Sequence, residues 1–228
     1  MSVQTSGTAR TGHWQNWGRS AAADPERVLH PGDAGEVARM VAEAHTRGRQ
    51  LKVVGSGHSF TAIAAPAQDQ LVMDRVRGLV SVDRDRNRVR VLGGTPLHEL
   101  NRILDGLGLA MVNLGDIDRQ TITGAISTGT HGTGASLPGL AAAVCGLTLV
   151  TGDGGVLTCS DEDDPDLLRA ARVGLGALGI VTEVELAVVP AYRLRAEESP
   201  GTLEPTLAAF PQLVADNRNV EFYWFPHT

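Results

Sequence analysis

Between Asn113 and Gly134 the chain reads NLGDIDRQTITGAISTGTHGTG. Gly124, Ala125, Ser127, Thr128, Gly129, Thr130, Gly132, Thr133 and Gly134 leave almost no side-chain bulk there. Main chain this bare lets backbone N–H groups approach a ligand closely, and successive N–H groups form an anion nest. TITGAIST predicts a short helix whose N-terminus favours negative charge, and the Ser and Thr hydroxyls add neutral donors. The stretch contains no lysine, so an anion there has to be held by dipoles. Two further stretches share this character. VGSGHSF at 54–60 runs from a β-branched pair through Gly55-Ser56-Gly57 and delivers His58, and GALGIVTEVEL spans 176–186. A flexible surface loop is the plain reading of any one of them. Three such stretches, each beside a predicted strand, point instead to a slot for a large, flat, doubly charged ligand.

Composition removes several function classes. A net charge of −6 without a run of Lys or Arg argues against a nucleic-acid surface. At 42% hydrophobic and 20% charged residues, the chain reads as a globular protein with a real core. No stretch reaches the roughly 18 consecutive apolar residues of a membrane helix. The polar start MSVQTSGTARTGHWQNWGRS lacks a secretory core, so a cytoplasmic protein is expected. Cys145 and Cys159 make neither a disulfide framework nor a metal motif, which suits a reducing compartment. Gly174-Leu-Gly176-Ala-Leu-Gly179 matches G-x-G-x-x-G as a string, but a helix precedes it and a strand follows, the reverse of a Rossmann fingerprint. There is no P-loop, and His98-Glu99 lacks the second histidine of a zinc protease.

Periodicity gives a mixed pattern. Strands are expected at 27–31, 51–55, 71–74, 79–83, 88–94 and over LAMVNLGD, with a hairpin over VCGLTLVTGDGGVLTCS and a long strand over GIVTEVELAVV. A helix follows Asp33, with Glu36 completing a capping box and Gly48 as its stop. Thr95 and Pro96 open a second helix, Asp164 and Pro165 a third, and TLAAFPQLVADN a weak one. EESPGTLEP reads as a linker, and EFYWFPHT places four consecutive aromatics near the end of the sequence. A second domain is therefore expected from 190, with 1–189 forming the first.

GSGHS, NLGD…TGAISTGTHGTG and HWQNW together resemble the FAD-linked oxidases of the vanillyl-alcohol oxidase superfamily, with their p-cresol methylhydroxylase (PCMH) type of FAD domain. Within them the match is similar to the sugar-lactone and alditol oxidase branch. The resemblance implies an α+β fold in which two α/β subdomains hold FAD between them. Residues 1–189 would be that domain, and 190–228 the start of a substrate domain, with EFYWFPHT as its first strand. The implied FAD contacts are Val54, Gly55, Ser56, Gly57, His58, Ser59, Asp116, Thr121, Gly124, Thr128, Gly129, Thr130, His131 and Ile180. Asp116 departs from the family pattern, since a small uncharged residue is common there and a carboxylate repels a pyrophosphate. His58 is the position bonded to the flavin 8α-methyl in covalent members; in others the histidine packs beside the ring. His131 reads as a cofactor contact or as a hydrogen-bonded core histidine. Gly115 leaves room for O₂ or simply makes a tight turn.

The implied reaction is oxidation of an aldonolactone or polyol, with hydride passing to flavin N5 and O₂ reoxidising the flavin to give H₂O₂. No catalytic base is visible, because the family's substrate-orienting groups lie in a C-terminal half that this sequence lacks. A flavin-binding module without turnover is the second reading. A cytokinin dehydrogenase or berberine-bridge type is a third, which THGTG argues against.

Overall fold

The computed structural model describes residues 12–227; the polar segment 1–11 and Thr228 lie outside the described residues. The chain opens with a two-stranded ribbon of β1 (Trp14–Gln15) and β2 (Ala22–Ala23). β3 (Arg27–Leu29), α1 (Ala34–Thr46), β4 (Leu51–Val54) and β5 (Asp69–Val72) then form a parallel sheet of order β3-β5-β4. Asp33 caps α1 by accepting from Glu36 N at 2.8 Å, a bond of the kind worth about 1 kcal/mol. The reciprocal bond of the expected box is displaced by one residue: Glu36 accepts from Gly32 N. Gly48 ends the helix as expected, with Gly48 N donating to His45 O and Arg49 N to Ala44 O.

β6 (Leu79–Asp83), β7 (Arg88–Leu92), α2 (Leu97–Gly106), β8 (Leu109–Ala110) and α3 (Ile122–Ser127) follow. β9 (Val144–Val150), β10 (Val156–Ser160), α4 (Pro165–Arg172), β11 (Ile180–Ala187) and β12 (Val189–Pro190) complete the second unit. Five strands make an antiparallel sheet of order β10-β9-β11-β7-β6, with the expected β9–β10 hairpin at one edge. On β11, Ile180, Thr182, Val184 and Leu186 face the core, while Glu183 and Glu185 face solvent and pair with Arg90. The period-two alternation read in both strands thus marks a sheet with one packed face. α2, α3 and α4 pack against that face through Leu97, Leu100, Leu104, Ile122, Ile126 and Leu168.

A second apolar cluster joins the two sheets. Val37 and Val41 of α1 and Leu71 of β5 meet Val150 of β9 and Ile180 of β11. The α+β class and the two-subdomain FAD-domain architecture are thus those the sequence implies.

Three local expectations are corrected. Pro96 rather than Thr95 is the N-cap of α2, because the Thr95 hydroxyl is spent elsewhere, donating to Leu92 O and accepting from Gly78 N. The strand expected over LAMVNLGD shrinks to β8, since side chains occupy the next carbonyls: Tyr192 donates to Met111 O and Arg218 to Val112 O. EFYWFPHT forms no strand among its described residues, and Phe222 to Phe225 are exposed. Before it, α5 (Leu203–Asp216) runs through Pro211 and stays at the surface, with Phe210 edge-on to Phe222. No helix among the described residues is long and apolar enough to cross a membrane.

Candidate functional site

A cavity of about 430 Å³ runs along the seam between the two sheets. Val54 to Ser59 line it from the parallel sheet, and Thr121, Gly124 and Thr128 from the antiparallel one. The 174–181 turn closes a third side, including Ile180. All three glycine-rich stretches therefore meet at one place. Its lining includes the cations Arg49 and Lys52 and contains no carboxylate. A second cavity of about 250 Å³ adjoins it, lined by His58, Gly115, Asp116, Ile117, Gln120, Thr130 and His131. His58 and Gln120 line both.

The backbone shows which donors remain for a ligand. The α3 amides, expected to attract an anion, are already used. Ile122 N donates to Thr95 O, Thr123 N to Gly93 O, and Gly124 N to Thr121 Oγ1. Thr123 and Thr128 also spend their hydroxyl protons on carbonyls, those of Gly93 and Gly124. By contrast, the amides of Ser56, Gly57, His58 and Ser59 donate to no acceptor among the described residues. The Thr121 hydroxyl accepts from Gly124 N and keeps its own proton to donate. It stands so close to Gly55 that a Cβ there would lie 2.7 Å from Thr121 Oγ1. At this contact between the two subdomains a side chain at position 55 would collide with Thr121.

Two positions of the 113–134 stretch shape the walls rather than the cavity. Gly132 lies under Leu114, where a Cβ would come within 1.9 Å of the Leu114 carbonyl. Gly129 lines neither cavity. It turns the chain after α3, donating to Ile126 O while Thr130 N donates to Ala125 O, a Schellman turn.

His58 stands at the junction of the cavities. Its Nδ1 is enclosed and has no hydrogen-bond partner, and its ring stacks on Trp17 with centroids 5.8 Å apart. Leaving a buried polar atom unpaired costs about 1–3 kcal/mol, which a bond to a ligand removes. His131 is exposed, and its Nδ1 must donate to Gly132 O at 3.0 Å because a carbonyl only accepts, so Nε2 carries the lone pair in the neutral ring. The core-histidine reading of His131 is thereby set aside. Asp116 lines the small cavity and not the long one that holds Gly55 and Thr121. Glu221 and then Asp116 push the Tyr223 phenol upward.

The sequence reading did not single out Gln120, whose side chain donates to Thr130 Oγ1 at 3.0 Å, or Arg49 and Lys52 on the wall of the long cavity. Arg49 and Lys52 sit just before VVGSGHSF, so their nearness to the glycine loop was legible, but their place on the cavity wall was not. The long carboxylate-free slot, the loop with unspent amides and the unpartnered imidazole at one end fit a flavin dinucleotide.

Comparison with known proteins agrees. The FAD binding domain family matches residues 25–160, and the D-arabinono-1,4-lactone oxidase family matches residues 184–228. The second match begins inside β11, so it overlaps the antiparallel sheet. Over 94% of its length the chain is 38% identical to L-gulono-1,4-lactone dehydrogenase of Mycobacterium tuberculosis, covering 49% of that protein. It is 37% identical to L-gulonolactone oxidase of Mus musculus, again over 94% of this chain and 49% of the relative. D-arabinono-1,4-lactone oxidase of Yarrowia lipolytica is 33% identical over 100% of this chain and 44% of its own. The chain thus spans about half the length of the curated relatives it matches. It belongs to the FAD binding domain family, in the sugar-lactone oxidase branch of the PCMH-type flavoproteins, and FAD is its cofactor.

Proposed function

We propose that this chain is the FAD-holding part of an FAD-dependent oxidase of sugar-derived alcohols, an aldonolactone first and an alditol second. The observation that carries this reading is the convergence of the Gly55–Ser59 loop, Thr121 and the 174–181 turn on one cavity that ends at His58. When bound, FAD supplies the two-electron acceptor for a C–H bond of the alcohol and hands those electrons to O₂. The chain's own residues bind and orient. The amides of 56–59 and the Thr121 hydroxyl take the pyrophosphate, and Lys52 on the cavity wall adds attraction. Val54, Gly124 and Ile180 form close walls, and Thr128, Gly129 and Thr130 hold the turn behind α3. His58 tethers the ring through an imidazole nitrogen, consistent with the enclosed, unpartnered Nδ1. Gly115, Asp116 and His131 border the face on which substrate and O₂ approach. No residue of this chain is assigned as the base that takes the hydroxyl proton.

The half-length match also fits a second reading, a flavin-binding module whose turnover requires a complementary half. One experiment separates the two. Purified protein is assayed for H₂O₂ with L-gulono-, L-galactono- and D-arabinono-lactone and xylitol, alone and as a chain extended to the relatives' length. Turnover by the short chain sets the module reading aside, and turnover by the extended chain alone establishes it. A colourless preparation that takes up no FAD overturns both. Acid precipitation tests the tether: yellow colour stays with the pellet in the wild type and leaves with the supernatant in His58→Ala.

A further inference from the structure

We infer that Asn16 is a positioning residue that sets His58 and its loop against the flavin. The inference rests on the tethering role proposed for His58. Asn16 is only 2% exposed, although it follows a two-residue strand near the start of the described chain. Its amide is fully engaged: Nδ2 donates to Ser59 O at 2.8 Å and to Ser20 Oγ at 2.9 Å, and Oδ1 accepts from Ala21 N at 3.0 Å. Its neighbours extend the grip. Trp17 N donates to Gly57 O at 2.8 Å, and Ser20 Oγ to Phe60 O at 2.6 Å. The carbonyls of Gly57, Ser59 and Phe60 are thus all drawn to the 16–20 turn.

That pattern dictates where the loop's donors point. A trans peptide is planar, with its N–H opposite its C=O, and no cis bond occurs among the described residues. The Gly57 carbonyl faces the turn, so the His58 amide faces away from it. The Ser59 carbonyl, on the other side of His58, is fixed in the same way. His58 is therefore bracketed by the held Gly57–His58 peptide before it and the held Ser59–Phe60 peptide one residue beyond it, and the Trp17 ring stacked on its imidazole limits the remaining side-chain rotation. Bond formation needs a reacting atom held in a near-attack position, which a loop pinned on only one side does not provide.

The tether forms one C–N bond between the imidazole and the flavin 8α-carbon. A methyl C–H and the imidazole N–H break, and the two electrons and two protons pass to O₂ as H₂O₂. Apo-protein from riboflavin-starved cells is mixed with saturating FAD in air, and acid-stable flavin is followed with time. Asn16→Asp keeps the acceptor for Ala21 N but loses both donors and sets a carboxylate against the Ser59 carbonyl. We expect attachment at least tenfold slower than in the wild type. Ser20→Ala, at an exposed position, should slow it about threefold with an unchanged melting temperature, and it decides the matter if Asn16→Asp does not fold. Wild-type rates in a folded variant overturn the inference. If the wild type itself forms no acid-stable flavin, the tether fails instead. The Kd for FAD then judges Asn16: a tenfold rise in Asn16→Asp sustains its positioning role, and an unchanged value removes it.

Discussion

At the scale of single residues, the chain uses charge for structure and keeps its functional groups neutral. Asp69 is fully buried on the central strand of the parallel sheet, held by Arg27 and by both Nε and Nη2 of Arg49. Burial alone would raise its carboxyl, but the bonds and charges of Arg27 and Arg49 outweigh this and hold it at about 2. A depressed folded-state pKa stabilises above the unfolded value near 3.8, and the contribution is lost as pH falls toward 2. A shift of this size corresponds to roughly 2 kcal/mol. Asp69→Asn removes the buried carboxylate shared by two partly exposed guanidinium groups, which keep only Glu43 and Glu26, and should cost about 1.5–3 kcal/mol at neutral pH. Its stability should also lose the steep decline between pH 4 and 2 that thermal unfolding will show for the wild type. Gly115 makes a different prediction. A methyl there would lie 3.1 Å from His131 O and 3.3 Å from Thr130 Cγ2, so it narrows the small cavity or shifts that wall. Gly115→Ala should slow flavin reoxidation by O₂ about tenfold, a barrier rise of about 1.4 kcal/mol, while FAD binding is retained. Stopped-flow oxidation at the wild-type rate would remove the O₂-access role.

At the scale of elements, what was legible depended on how local the determining force is. The α1 cap, the Gly48 stop, the β9–β10 hairpin and the alternation of β11 follow from neighbours in sequence, and each lies where the pattern puts it. The cap of α2 and the length of β8 depend on partners remote in sequence, Gly78 for Thr95 and Tyr192 and Arg218 for the 111–112 carbonyls. The same limit explains the overestimated anion site at α3: its bare sequence suggested free amides, yet Thr95 and Gly93 consume them. The contact between the 113–118 and 131–134 segments is stiff, because Asn113 Nδ2 also donates to Thr133 O. Gly132→Ala would drive a Cβ into the Leu114 carbonyl, and backbone cannot yield cheaply. We expect at least about 2 kcal/mol of destabilisation and loss of FAD retention on gel filtration, whereas Gly106→Ala, with open space around it and away from both cavities, should retain FAD.

At the scale of the whole molecule, the cavity occupies the seam that a second apolar cluster must otherwise hold together. A ligand that binds only the folded state adds RT ln(1 + [L]/Kd), about 2.7 kcal/mol at one hundred times Kd. FAD should therefore raise the melting temperature of apo-protein progressively with concentration, and more than FMN, which lacks the adenylate half needed to span the long cavity. Equal shifts would argue against occupation of the whole length of the cavity. The sequence alone determined the bare stretches, the order of helices and strands and the presence of a histidine in the first glycine loop, because these follow from side-chain size and short-range periodicity. Only the tertiary structure decided which amides stay unspent, that Asp116 falls in the smaller cavity, and that Asn16 grips the His58 loop. Those outcomes depend on hydrogen-bond partners up to 43 positions apart, and the pairing of distant donors and acceptors is settled by packing rather than by sequence order.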